Sequence, residues 1–182
     1  MEINGTRPYR LVGARGSAEV ARMYEAHAPA IRSFCKRFLS DPDLAEDAVQ
    51  QTFELALRFI DDLQKSDRSR AWVFSIARNE CLRILGTPHP VELDERHADS
   101  LTPSPLDLSI TADVTSQLHR AIASLPPIYR EAVLLRDMEG FSYAEIASIT
   151  GTPGTTVKFR IYKGRELLMG ILEPVLKEWR TP

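Results

Sequence analysis

The stretch that decides the fold is Ser142-Tyr-Ala-Glu-Ile-Ala-Ser-Ile-Thr-Gly-Thr-Pro-Gly-Thr-Thr-Val-Lys-Phe-Arg-Ile-Tyr-Lys163. Ser142 with Glu145 three residues on is a capping box, and it opens a short helix containing Ala147. A tight turn from Thr150 to Gly154 follows. A last helix is then predicted from about Thr155 to Leu172 or beyond. At 100° per residue, Val157, Ile161, Gly164 and Leu168 share one face that would pack inward. Thr156, Phe159 and Lys163 face outward, with Lys158, Arg160 and Arg165 at the flanks. Lys158, Arg160, Lys163 and Arg165 fall in the first three turns with no acid among them. A short helix, a turn and a basic helix form the layout in which the second helix enters the DNA major groove. Its N-terminal N–H groups and dipole also favour a phosphate. The competing reading is a helical hairpin with a solvated basic face.

Upstream, Pro127 starts another helix that Gly140 ends, and 112–124 makes one more. Pro88, Pro90, Pro103 and Pro105, spaced by Ser and Thr without apolar periodicity, mark a linker. The charge agrees. Between Thr87 and Asp113 six acids stand against Arg96 alone, a net −5, which leaves +3 for the rest of a chain whose total is −2. Such a segment is expected to be mobile, and its charge lets it mimic a nucleic-acid strand. The domain reading is an N-terminal extension over 1–16, a helical domain over 17–86, a linker over 87–111 and the helix-turn-helix domain over 112–182. No β-alternation of useful length and no internal repeat occur, so the fold class is all-α: two small helical domains joined by a flexible acidic linker.

In the N-terminal half, Ser17 is expected to cap a helix to about His27, with Pro29 forcing a break before a second stretch ending near Leu39. Asp41-Pro42 is an N-cap with proline at the first helical position. The helix it opens has two faces: Ala45, Val49, Phe53, Ala56 and Ile60 on one, and a stripe of Asp43, Asp47, Gln50, Glu54 and Asp61 with Leu57 beside it on the other. That stripe fits a solvated surface or a partner with a basic helical face. A fourth helix, about Ser69 to Leu85, sets Trp72, Phe74, Ile76 and Leu82 among Arg70, Arg78 and Arg83, with Lys65 and Arg68 just before it. Cations interleaved with aromatics suit unpaired nucleic-acid bases, although the aromatics could equally be core and the arginines solvated.

Other classes fall away. There is no Gly-rich phosphate loop and no Ser/His/Asp or Cys/His arrangement, and His27, His89, His97 and His119 are scattered, so neither catalysis nor a cofactor or metal is expected. Cys35 and Cys81 read as buried reduced thiols. Neither a signal core nor an 18-residue apolar run is present, which places the expected site of action in the cytoplasm.

Several strings resemble the extracytoplasmic-function group of bacterial sigma factors. Asp41-Pro-Asp-Leu-Ala-Glu-Asp-Ala-Val-Gln-Gln-Thr-Phe53 and Ala71-Trp-Val-Phe-Ser-Ile-Ala-Arg-Asn79 look like that family's polymerase-binding and promoter-melting helices. Leu125-Pro-Pro-Ile-Tyr-Arg-Glu131, Gly140-Phe-Ser-Tyr-Ala-Glu-Ile-Ala147, Thr156-Val-Lys158 and Arg160 are similar to its upstream-element-binding domain. The resemblance implies that Asp43, Asp47, Gln50, Glu54 and Leu57 dock on the clamp helices of core RNA polymerase. It implies that Lys65, Arg68, Arg70, Trp72, Arg78, Asn79 and Arg83 serve the melted minus-ten element. It gives the minus-thirty-five duplex to the helix carrying Thr155, Thr156, Lys158, Phe159, Arg160, Lys163 and Arg165. An anti-sigma protein is a further partner it implies. A regulator with a LuxR-type DNA-binding domain shares the Ala-Glu-Ile-Ala and Thr-Val-Lys strings, but the N-terminal half lacks the alternating strands and helices of a receiver. A sigma-like scaffold that never opens promoters is the third alternative.

The chain departs from the family's pattern at two places. After Asn79, Arg83, Gly86 and Thr87 stand where an Asp and then an Arg pair are usual, and the recognition helix carries Thr155 as its expected N-cap and Phe159 where Gly and Ser are usual. Both departures predict an atypical promoter choice.

Overall fold

The computed structural model describes residues 14–63, 69–86 and 114–180; Lys65, Arg68 and the 87–111 linker lie outside the described residues. Every element among the described residues is helical: α1 Ala14–Leu39, α2 Pro42–Phe59 with a 3-10 turn Ile60–Asp62, α3 Ser69–Ile84, α4 Val114–Ser124, α5 Pro127–Val133, α6 Tyr143–Thr150 and α7 Gly154–Arg180. None is long and apolar enough to cross a membrane.

The first helix corrects the expected break at Pro29 and the cap at Ser17, because α1 runs unbroken through both residues. A proline interior to a helix frees the carbonyl four residues back. Here Pro29 and Glu25 are both exposed, so water can serve that carbonyl. Ser40 closes α1 with φ 60, its N–H reaching the Lys36 carbonyl at 3.0 Å. The next residue starts α2 as expected: Asp41 accepts from the N–H groups of Asp43 and Leu44 at 2.9 and 3.0 Å, with Pro42 behind it. Ala45, Ala48, Val49, Thr52, Phe53 and Ala56 are the buried face of α2.

Helices α1, α2 and α3 pack around Phe34, Phe38 and Phe74, the last meeting Phe34 edge-on at 5.6 Å. Cys35 and Cys81 lie inside this unit as free thiols; a hydrogen bond that the Cys81 thiol donates to Cys35, together with burial, pushes Cys81 well above its ordinary pKa. The second unit gathers Leu134, Leu135, Ile146, Val157 and Ile161. Between α5 and α6 the chain widens into a π-helical turn, Leu134–Met138, in which Glu139 N–H reaches back five residues to the Leu134 carbonyl. The two units share one apolar core, Phe74 of α3 meeting Phe141 at 5.0 Å between ring centroids.

Candidate nucleic-acid interface

Around Ser142 the capping box forms as its residues dictate. Glu145 N–H donates to Ser142 Oγ at 3.3 Å, and Glu145 Oε2 accepts from Ser142 N–H at 2.8 Å and from its hydroxyl at 2.7 Å. These bonds hold the Glu145 carboxyl below its ordinary pKa. Gly151 ends α6 with φ 67, its N–H on the Ala147 carbonyl. Pro153 then gives the carbonyl that accepts from Val157 N–H at 3.0 Å. Thr155 is therefore not the cap: α7 starts at Gly154, and Thr155 sits exposed in its first turn.

On α7 the inward face is as expected, with Val157, Ile161 and Gly164 buried and Leu168 half-buried. Thr155, Lys158 and Phe159 are exposed, while Thr156 and Lys163 are half-buried. Tyr162, 69% exposed, joins this surface three residues after Phe159, and sequence reading missed it although the same wheel puts it there. Arg160 is a correction, since it is only 4% exposed. It lies on the wheel about 40° beyond Gly164 on the side away from Val157, and its guanidinium is 3.6 Å from Glu131. The basic residues are also not unopposed: Arg165 pairs with Asp137 of the π-helical turn, and Lys163 with Glu166 at 3.1 Å. Lys158 has no ion pair among the described residues.

Helix α3 mixes core and surface. Phe74 is fully buried and so cannot stack on a base; Trp72, Arg70 and Asn79 are half-buried and Arg83 is exposed, paired with Glu80 at 2.8 Å. Arg78 corrects the expectation of a solvated or DNA-facing side chain. It is 1% exposed, with Nε and Nη2 donating to the Glu131 carboxylate at 2.6 and 3.1 Å and Nη1 to Asn79 Oδ1 at 3.0 Å. Arg70 pairs with Glu139 at 3.5 Å and lies 4.1 Å over the Phe141 ring. Glu131 and Glu139 were missed in the sequence. The available signal was an acid directly before the apolar run Ala132-Val-Leu-Leu135.

Two family models match, "Sigma-70 region 2" over residues 23–86 and "Sigma-70, region 4" over 115–168. The RNA polymerase sigma-H factor of Pseudomonas aeruginosa is 30% identical over 154 residues, covering 78% of this chain and 80% of that protein. The chain belongs to the extracytoplasmic-function sigma factors. The ECF RNA polymerase sigma-E factor of Salmonella typhimurium is 28% identical over 159 residues, 81% of this chain and 83% of that one. Among solved structures, the sigma factor RpoE of Bartonella quintana, in complex with the anti-sigma factor NepR, superposes with a TM-score of 0.65 at 26% identity, covering 84% of this chain and 96% of that one. The region 2 match over the N-terminal half disfavours the LuxR-type alternative, and this sigma factor acts with RNA polymerase in promoter recognition. On its α2 the stripe stands clear of the core, with Asp43, Asp47, Gln50 and Glu54 exposed, Leu57 37% exposed and Leu44, not expected, 40% exposed.

Proposed function

We propose that this sigma factor docks on core RNA polymerase through the α2 stripe, reads the minus-thirty-five duplex with the outer face of α7 and captures the melted minus-ten strand along α3. The observation that carries this is the outward face of α7, where Thr155, Lys158, Phe159 and Tyr162 stand exposed behind a capped helix and tight turn. Thr156, Lys163 and Arg165 flank that face, and Arg160 braces it from inside through Glu131. The stripe of Asp43, Asp47, Gln50 and Glu54 supplies charge complementarity while Leu57 and Leu44 supply an apolar anchor. On α3, Arg70, Trp72, Asn79 and Arg83 serve the strand, with Lys65 and Arg68 before the helix, while the buried Arg78 holds Asn79 from behind. The units at 17–86 and 112–182 act as separate binding modules joined by the 87–111 linker.

The chain makes no bond itself; polymerase does the chemistry, in the cytoplasm. The likeness to a sigma factor solved with NepR supports an anti-sigma protein as a further partner. Run-off transcription with purified core enzyme on a randomised promoter library tests the whole reading. Enrichment of two spaced elements is the expected result. Transcription without any enriched element, or polymerase binding without transcription, overturns it and favours a scaffold.

A further inference from the structure

Side chains divide the outer face of α7 into a middle and two edges. Taking about 100° per residue, Thr155, Phe159, Tyr162 and Glu166 fall within about 60° of one another, and Lys158 and Lys163 lie about 70° to either side of their centre. Phe159 and Tyr162 are exposed and three residues apart, so they occupy adjacent places on the helix surface. The four middle residues include no guanidinium, ammonium or carboxamide. Arg160 is turned into the domain toward Glu131, Arg165 is paired with Asp137, and Glu166, the one acid on this face, is neutralised by Lys163 at 3.1 Å. The missing groups are those that grip guanine or adenine by paired hydrogen bonds in the major groove. Two rings recognise an apolar group instead, and the major groove offers one, the C5-methyl of thymine. Cytosine carries a hydrogen at the same place, and C5-methylation puts an identical methyl there. Cations on both edges suit the phosphates that border the groove, which sets the rings over the base edges between them.

We infer that α7 reads C5-methyl groups through Phe159 and Tyr162, so that thymine is selected in the upstream element and initiation responds to C5-methylation of cytosine within it. The inference rests on the reading of α7 as the duplex-binding helix and adds the chemical group that this helix recognises. Thr155, exposed in the first turn, presents a methyl of its own on the same face, a further side chain able to touch a base methyl. Sequence selection then comes from apolar contact in the middle of the face, while Lys158 and Lys163 contribute a term that every duplex shares.

The test titrates the full chain, by fluorescence anisotropy, against a labelled duplex carrying the upstream element enriched in the run-off selection. Each thymine of the element is replaced in turn by deoxyuridine, which keeps the hydrogen bonds of the base pair and removes only the methyl. At least one replacement should weaken binding about fourfold, the worth of one buried CH₂ group. At that position a C·G pair and a 5-methylcytosine·G pair are then compared, and the methylated pair should bind about fourfold tighter. Phe159→Ala and Tyr162→Ala should each lessen these differences and the double variant should abolish them, with circular dichroism unchanged because both positions are exposed. Tyr162→Phe keeps the ring and should keep the response. Equal affinity for thymine and deoxyuridine at every position, or full methyl discrimination by the double variant, overturns the inference and leaves α7 as a duplex reader. A response to the thymine methyl without one to 5-methylcytosine overturns the part that concerns cytosine. A full chain that binds the element no better than a scrambled duplex overturns the reading of α7 itself.

Discussion

Gly164 lies so close to α5 that a Cβ built on it would stand 2.6 Å from Val133 Cγ2 and 3.1 Å from the Tyr129 carbonyl oxygen. The approach sets the angle at which α7 leaves the domain, and with it where Phe159 and Lys158 point. Gly164→Ala should cost about 1–3 kcal/mol, the usual cost of overpacking, despite alanine's better helix propensity. Urea denaturation measures it; an unchanged or higher midpoint would mean that Val133 simply rotates away.

The capping box gives a pH signature. Ser142→Ala should lose about 1 kcal/mol at pH 7, as N-cap deletions do. Glu145 titrates lower in the folded chain than in the unfolded one, so its contribution is present above the ordinary carboxylate pKa and lost as pH falls through the depressed folded value. The gap between wild type and variant, followed by denaturation from pH 7 down to pH 3, should therefore narrow. A gap that widens on acidification would contradict the assignment.

Lys158 and Arg160, two residues apart, should behave differently. Lys158→Ala removes one exposed cation, and the salt slope of duplex binding should fall by roughly 0.9 if it meets one phosphate. Arg160→Ala should leave that slope almost unchanged and instead lower the melting temperature, because Glu131 loses a neighbour. Titrating both variants against promoter duplex at several salt concentrations checks this, and equal slopes for both would refute the distinction.

At the stripe, Asp47→Arg reverses a charge and Leu57→Asp removes an apolar anchor, both at exposed positions of α2. Each should cut core-polymerase binding at least tenfold, equivalent to about 1.4 kcal/mol, with the circular dichroism of the chain unchanged. Co-purification of either folded variant at the wild-type level would move the interface elsewhere.

Phe159 is 42% exposed on the outer face of α7. It can touch a thymine methyl but offers no hydrogen bond, so Phe159→Ser should shift the preferred upstream element. Selections from one randomised library with parent and variant give the answer, and identical preferences would remove Phe159 from the readout.

Local signals were legible where the residues that make a structure sit within one or two turns of each other. Asp41-Pro42, the Ser142–Glu145 box, the two faces of α2 and the inward place of Gly164 on α7 could all be read directly. Pro29 misled because a proline's effect depends on what faces the freed carbonyl, which its own sequence neighbourhood does not state. Arg78 and Arg160 were read as DNA contacts because both are cations on amphipathic helices. Their partner Glu131 is 53 residues from one of them, a separation that no periodicity encodes. Arg130 was missed for the same reason; burial pulls its pKa to about 10 while it clamps the carbonyls of Phe38 in α1, Ala123 in α4 and Leu125 just after it.

The wide turn at Leu134–Met138 holds one residue more than a regular helix needs, since its N–H groups reach back five residues instead of four. Each residue advances an α-helix by about 100°, so deleting one here would restore ordinary pitch while swinging everything after it through more than a quarter of a revolution. Asp137 would leave Arg165, and Phe141 would leave Phe74. The segment between α5 and α6 is thus intolerant of length change.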